Sequence, residues 1–194
     1  MPRGFAEIYL EQPKADMFFC VESMLALRGF SLEHPNNLFV HIWDVQGNMI
    51  QLHKSEALTH FNAGSVIVFW NETCDSISIV SEGNRIILFL DGFDAKDTKN
   101  LFELFTAFTL SDNKYNIDGL LFDRWEISEG IDWAEYLKNK QFNEELIAEK
   151  LENTFTGVIT NCKTIAFNES NAYIIIKGTN GTYECFEFML KHTA

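Results

Sequence analysis

Three short apolar runs between residues 65 and 90 constrain the fold more than any other feature of the chain. They are 65–70 (SVIVFW), 76–81 (SISIVS) and 85–90 (RIILFL). In the second run Ile77 and Ile79 alternate with serines, which is the two-residue period of an antiparallel strand with one exposed face. Glu82-Gly83-Asn84 is a tight-turn sequence that joins this run to the third. The pattern predicts a three-stranded antiparallel meander.

Further strands and helices are predicted around this meander. The remaining strand-like segments are 5–11, 38–44, 48–53, 155–160, 163–167, 172–177 and 182–190. The predicted helices are one from Asp16 to Arg28 that ends at Gly29, one capped by Asp94 or Asp97, and two over 132–140 and 143–153. Residues 117–125 fit either state. The strands come in groups without a regular βαβ rhythm, so we expect an α+β fold: mixed, mainly antiparallel sheet(s) with three to five packed helices.

The length of the chain favours a single domain. Its 194 residues match one α+β domain over 1–194. The polar segment 111–116 (SDNKYN) is the best candidate for a joint, which would divide the chain into subdomains 1–112 and 113–194. Six residues is also an ordinary loop length, so both arrangements stay open.

The charge of the chain indicates which partners it favours. Its 28 acidic and 15 basic residues give a formal net charge of −13. An acidic surface repels phosphate backbones and anionic lipids, so we expect no nucleic-acid and no membrane partner. It attracts a basic protein and accelerates the association. The simpler interpretation is that the charge keeps the protein soluble.

The N-terminal residues and the cysteines favour a cytoplasmic location. Glu7 and Glu11 follow the N-terminus closely, where a signal peptide would need an apolar segment, and no apolar stretch reaches 18 residues. The four cysteines are scattered, without a CxxC pair.

Catalytic and cofactor motifs are missing from the sequence. It contains neither GxxxxGK[ST] nor GxGxxG, and neither GxSxG nor HExxH, so we expect no cofactor and lean towards a non-enzymatic role. Asp91 and Asp94 follow an apolar strand and precede a helix, where enzymes often place carboxylates. Helix capping explains both residues adequately, and we favour it over a catalytic role.

A second group of residues has metal-ligand chemistry. It consists of His41, Asp44, His53, Glu56 and His60. With a hairpin loop of two or four residues, however, His41 and His53 would lie on opposite faces of the ribbon, and only an odd loop would bring them together. We therefore favour surface or edge-strand histidines over a metal site.

The stretch 118–135 is the strongest candidate for a partner surface. Six carboxylates surround Trp125, Ile131, Trp133 and Tyr136, against the single Arg124. Apolar anchors with acidic neighbours suit an interface for a basic protein. The predicted partner-binding residues are Asp123, Glu126, Glu129, Asp132 and Trp133. The alternative is a solvated acidic segment whose tryptophans point inward.

These features favour a non-catalytic acidic protein-binding module. In gross profile (small, acidic, aromatic-rich and α+β) the chain is similar to bacterial toxin-immunity proteins, which block cationic nuclease toxins. The similarity is one of composition and covers no alignable motif. It implies an inhibitor or antitoxin-like protein that docks on a basic partner such as a toxin nuclease. The alternatives are a small enzyme or ligand-binding protein with scattered Asp and His residues, and a self-associating scaffold.

Overall fold

A computed structural model describes residues 4–10, 15–90, 93–111, 117–124, 133, 155–160, 165–177 and 181–190. The strands are β1 (Phe5–Leu10), β2 (Val40–Trp43), β3 (Met49–Leu52), β4 (Val66–Trp70), β5 (Ser76–Glu82), β6 (Arg85–Phe89), β7 (Ile117–Asp123), β8 (Phe155–Thr160), β9 (Asn171–Lys177) and β10 (Tyr183–Leu190). The helices are α1 (Ala15–Ala26), α2 (Ala57–Asn62) and α3 (Ala95–Ser111), with a 3-10 turn over Lys54–Glu56.

All ten strands form one antiparallel sheet in the order β3-β2-β4-β5-β6-β1-β7-β9-β10-β8. The predicted meander is confirmed as β4-β5-β6, with Val80 opposite Ile87 in the β5–β6 register. β1 lies between β6 and β7, so it connects strands from both sides of residue 112. The mainly antiparallel α+β class is therefore confirmed.

The three helices contribute to the main core on one face of the sheet. Phe18 of α1 contacts Phe61 of α2, with 5.1 Å between ring centroids. The ring centroid of Phe102 in α3 lies 5.2 Å from that of Phe122 in β7 and 4.6 Å from that of Tyr173 in β9. This cluster of buried aromatic rings explains much of the unusual phenylalanine content, because each ring removes about 150–250 Å² from water.

The opposite face of the sheet has a second, smaller core. Its buried members are Tyr9, Leu121, Trp133, Ala172, Ile174, Ile176, Phe186 and Phe188. They come from β1, β7, β9 and β10, together with Trp133, whose ring lies 6.1 Å from that of Phe188. On the same face, most side chains of the strands from β3 to β6 are half-buried or exposed, and the exceptions are His41 and Val68, which are buried. This face is thus covered on one half and open on the other.

Several predicted elements differ from the structure. Within the ambiguous segment 117–125, residues 117–123 form β7, which is buried on both faces and therefore lacks strand alternation. Residues 165–167, predicted to be a strand, are not one, and Phe167 packs on Phe102 instead. The predicted helices over 132–140 and 143–153 fall outside the described residues, apart from Trp133. Within the described part of the chain, no helix is long and apolar enough to cross a membrane.

Candidate docking surface on the first hairpin

Exposed apolar side chains concentrate on the β2–β3 hairpin and the loop before it. Eight large hydrophobic residues are exposed in the described part of the chain, and six of them lie between residues 38 and 50. We call these six the hairpin surface: Leu38, Phe39, Trp43, Val45, Met49 and Ile50. Single exposed hydrophobic residues are common, whereas a contiguous group is typical of a binding site.

The position of β3 at the end of the sheet creates this surface. β3 pairs with β2, and no other described strand pairs with it. Trp43 of β2 lies opposite Met49 of β3, so their side chains share a face, and they are 40% and 50% exposed. Ile50 points to the other face of the same ribbon. The hairpin therefore presents apolar groups on both faces of an open edge.

A strained loop holds Leu38 in solvent. Leu38 has φ of 60°, a left-handed conformation that costs most side chains of the order of 1 kcal/mol, and it is 71% exposed. Local hydrogen bonds fix the loop: the Leu38 N–H donates to the His34 carbonyl oxygen at 2.9 Å, and the Phe39 N–H donates to Asn37 Oδ1 at 3.1 Å. Strain that the surroundings maintain is typical of functional segments.

Two stacked imidazoles support this loop from below. The rings of His34 and His41 lie 4.8 Å apart, and both contact the Trp70 indole edge-on. His41 Nε2 is 3.2 Å from Asn37 Nδ2. Burial lowers the pKa of His41, and the neighbouring His34 lowers it further. The folded protein therefore favours a neutral imidazole beneath the loop.

Carboxylates lie at both ends of β3. At the turn, Asp44 accepts hydrogen bonds from the backbone N–H of Asn48 at 2.8 Å and from its side chain, and these bonds lower the pKa of Asp44. At the other end, Glu56 accepts the His53 N–H at 3.1 Å. Lys54 is 2.5 Å from Glu22, so its charge is already paired.

The open half of the sheet continues inward from the hairpin as an apolar floor. Its half-buried members include Val66, Trp70, Val80, Ile87 and Phe89, which share a face according to the strand registers. Ser76 and Ser78 are the small polar residues among them. A partner that covered the hairpin surface would find this floor beside it.

A partly buried ionic cluster marks the boundary between the open half and the covered half. Arg85 Nη1 contacts both Glu7 carboxylate oxygens, at 3.2 and 3.1 Å, and its guanidinium also pairs with Glu82. Tyr9 donates its hydroxyl hydrogen to Glu7. Burial raises the pKa of Glu7 in spite of these partners, and it also raises the pKa of Tyr9. The charged and polar groups of the cluster pair with one another, so we assign the cluster a structural role rather than a functional one.

The proposed metal group does not assemble. The hairpin loop has five residues, 44–48, which is the odd-numbered case in which strand parity would bring His41 and His53 to one side of the ribbon; Asp44 closes the turn and Gly47 adopts φ of 82° within it. His41 and His53 nevertheless stay apart, because His41 stacks on His34 while His53 packs on Phe39 at 5.5 Å. Among the described residues, no three His, Cys, Asp or Glu side chains could hold a metal ion.

Asp94 caps α3. Its Oδ1 accepts the Asp97 N–H at 2.8 Å, which satisfies one of the free amide groups of the first turn. This confirms the capping interpretation for Asp94. Asp91 lies outside the described residues.

The five predicted partner-binding residues have separate outcomes. Asp123 and Trp133 are 0% and 2% exposed, so neither presents its side chain to a partner in this structure. The alternative of inward-pointing tryptophans describes the position of Trp133, whereas the burial of Asp123 was predicted by neither interpretation. Glu126, Glu129 and Asp132 lie outside the described residues, and their role stays a prediction.

A small pocket lies between the end of α1 and the start of α3. Its volume is about 100 Å³, and Arg28, Phe30, Phe93 and Asp97 are among its lining residues. Sites for drug-sized ligands and cofactors usually occupy about 300–1,000 Å³. This pocket is therefore too small for such a ligand.

Comparison with known proteins adds no family. The chain matches no protein-family model, and searches of curated proteins and of solved structures gave no match.

The hairpin surface is absent from the residues predicted to bind a partner. The sequence pattern assigned 38–44 and 48–53 to strands, where apolar residues are expected to be buried. The missed signal is the composition of β3: Met49–Leu52 contains no charged residue and no proline, although edge strands commonly carry them.

Proposed function

We propose that this chain is a non-catalytic protein-binding module that uses the hairpin surface to dock on a basic protein. The supporting observation is the concentration of six exposed apolar side chains on one edge of a protein with a net charge of −13. Apolar anchors supply affinity, and the surrounding negative charge steers a cationic partner.

The area of the hairpin surface is sufficient for such a role. If each large side chain offers roughly 150–250 Å², the exposed fractions of the six residues amount to about 450–750 Å². A standard interface buries about 800 Å² on each partner, of which somewhat more than half is apolar. The hairpin surface can therefore supply the apolar part of one interface.

Inhibition of a nuclease toxin is the specific form of this proposal. An acidic protein can place carboxylates where the phosphate backbone of the substrate would bind, which is how an immunity-type inhibitor would act. Glu126, Glu129 and Asp132 stay candidates for this acidic contribution. β7, which leads into their segment, is six strand positions from β3, or about 29 Å at the usual strand spacing.

The test compares proteins retained from a native-host extract by wild type, by a Leu38→Asp/Met49→Asp variant and by a Leu27→Asp control. Leu27 is the most exposed large hydrophobic residue of the described chain, at 76%, and it lies outside the hairpin surface. We expect a basic protein that wild type and Leu27→Asp retain, that the double variant loses, and that high salt releases. If the protein has nuclease activity, equimolar wild type should inhibit it.

Two results would contradict the proposal. One is equal retention of every protein by wild type and the double variant. The other is retention of nucleic acid in place of a protein. A separate Glu126→Gln/Glu129→Gln/Asp132→Asn variant tests the acidic candidates without changing the hairpin.

A further inference from the structure

The backbone of β3 has hydrogen-bonding groups that the sheet does not use. The Asp44 N–H donates to the Asn48 carbonyl oxygen at 3.0 Å, so residues 44 and 48 form a hydrogen-bonded pair. Hydrogen-bonded pairs alternate with non-bonded pairs along an antiparallel ladder. The next hydrogen-bonded pairs between β2 and β3 are therefore Ile42 with Ile50 and Val40 with Leu52. The N–H and C=O groups of Met49 and Gln51 therefore point away from β2, towards the open edge.

The side chains leave this edge accessible. Met49, Ile50 and Gln51 are all exposed. Natural edge strands are usually protected by lysine, proline, bulges or a covering segment. The segment from Met49 to Leu52 has no lysine and no proline, and its ladder with β2 has no bulge.

We propose that the partner docks by adding an extended strand to β3. This inference rests on the proposed function and specifies the mode of binding. The strand would pair its backbone with Met49 and Gln51, which is the β-augmentation mode of peptide recognition. Its central side chains would be apolar or β-branched, because Met49 would lie beside them on one side of the ribbon and Ile50 on the other.

Charge favours a basic segment over a second copy of this chain. Asp44 lies at the turn end of β3 and Glu56 lies beyond the other end, so lysines or arginines flanking an added strand would meet a carboxylate at either end. Antiparallel pairing of two copies would bring the Asp44 end of one copy beside the Glu56 end of the other. It would also join two chains of charge −13. The occupant is therefore an extended segment of a basic protein.

Gln51 offers a substitution that separates backbone from side-chain binding. Its N–H points to the open edge, so Gln51→Pro removes a donor for the added strand and leaves the β2–β3 bonds in place; proline is tolerated at such edge positions. Gln51→Ala is the matched control, because it shortens the side chain and keeps the N–H. Circular dichroism and the thermal midpoint establish that both variants are folded.

The probe is a fluorescent ten-residue synthetic peptide with alternating valine and threonine at its centre and two lysines at each end. We expect saturable binding to wild type in fluorescence polarisation. Gln51→Pro should bind the peptide about tenfold more weakly, because the hydrogen bond from the residue 51 N–H is lost and the proline ring keeps the peptide backbone from approaching β3 closely. Gln51→Ala should bind within about twofold of wild type. A peptide with glutamates in place of the lysines should also bind about tenfold more weakly.

The opposite results overturn strand addition. They are the absence of saturable binding up to about 1 mM, a range that covers even weak peptide complexes, or equal affinity of wild type and Gln51→Pro. Loss of extract binding only in Leu38→Asp/Met49→Asp, with Gln51→Pro unaffected, would leave the proposed function intact and replace the mode with side-chain docking. Concentration-dependent dimers that Gln51→Pro abolishes would replace the basic segment with a second copy.

Discussion

One face of the sheet is closed over β7, β9 and β10 and largely open from β3 to β6, where His41 and Val68 are the buried exceptions. On the closed half, Leu121, Ile174 and Phe186 are buried against Trp133 and their neighbours. On the open half, Ile87 is half-buried and Trp43 is exposed. These two residues nevertheless lie on the same face of one continuous sheet as Leu121, Ile174 and Phe186. The difference shows where this fold completes its own core and where it leaves apolar surface accessible to solvent.

The two halves also differ in sequence. β9 reads NAYIIIK, an apolar run typical of a strand that is covered on both faces. β5 reads SISIVSE, with small polar residues on the face that stays open. Composition thus distinguishes the halves in the centre of the sheet. At its edge the distinction fails, because β3 is apolar and exposed.

The largest expected effect comes from a matched pair of isoleucines, one on each half. Ile174→Ala should lower the free energy of unfolding by about 3–4 kcal/mol, because it leaves a cavity in a closed core. Ile87→Ala should cost about 1–2 kcal/mol, since solvent already reaches that side chain. Urea unfolding of both variants measures the difference. Equal losses would mean that the two halves are equally covered.

The ionic cluster at the boundary gives the next effect. Glu7→Ala removes the acceptor of the Tyr9 hydroxyl and one partner of Arg85, so it should destabilise the protein by about 3 kcal/mol. Glu7→Gln keeps an oxygen acceptor for Tyr9 and should cost about 1–2 kcal/mol. Thermal unfolding can rank the two variants. A more stable Glu7→Ala would show that burial of the carboxylate costs more than its partners return.

A pH effect is expected beneath the Leu38 loop. The pKa of His41 is lowered in the folded protein, so the unfolded chain takes up the proton first as the pH falls below the ordinary value of 6.5. The contribution of His41 to the free energy of unfolding therefore keeps its full value above pH 6.5. It falls progressively as the pH drops from 6.5 towards the pKa of His41 in the folded protein. His41→Gln should flatten that part of the stability curve, while the stacked His34 stays in both proteins. Identical curves for the two proteins would contradict the assignment.

The smallest effect on stability is expected at the hairpin surface. Met49→Asp should change the free energy of unfolding by no more than about 0.5 kcal/mol, as surface substitutions usually do. Leu27→Asp, in another exposed position, should behave in the same way. A loss of several kcal/mol at Met49 alone, measured by chemical denaturation, would show that the hairpin is part of the core.

Local signals predicted much of the fold. Alternation and turn residues identified β4, β5 and β6, and Gly29, with φ of 80°, follows α1 where the helix was expected to stop. β7 was ambiguous because a strand buried on both faces loses its alternation. The hairpin loop was longer than expected because the Asp44 side chain, which accepts three N–H groups, closes a five-residue turn.

The candidate site was less accessible to sequence reasoning. Exposure of Met49 and Ile50 follows from the place of β3 at the end of the strand order, which depends on pairings between distant segments. Acidic composition drew attention to Asp123 and Trp133, yet the structure buries both. Charge density therefore did not locate an exposed surface at these two residues.

Hydrogen exchange at the Met49 and Gln51 backbone amides tests the docking claim most directly. In the free protein both amides point to the open edge, so they should exchange rapidly, while the neighbouring Ile50 amide, bonded to β2, exchanges more slowly. With the basic partner bound, we predict strong slowing at Met49 and Gln51 and a smaller change at Ile50. Unchanged rates at these two amides in the saturated complex would contradict docking at this edge.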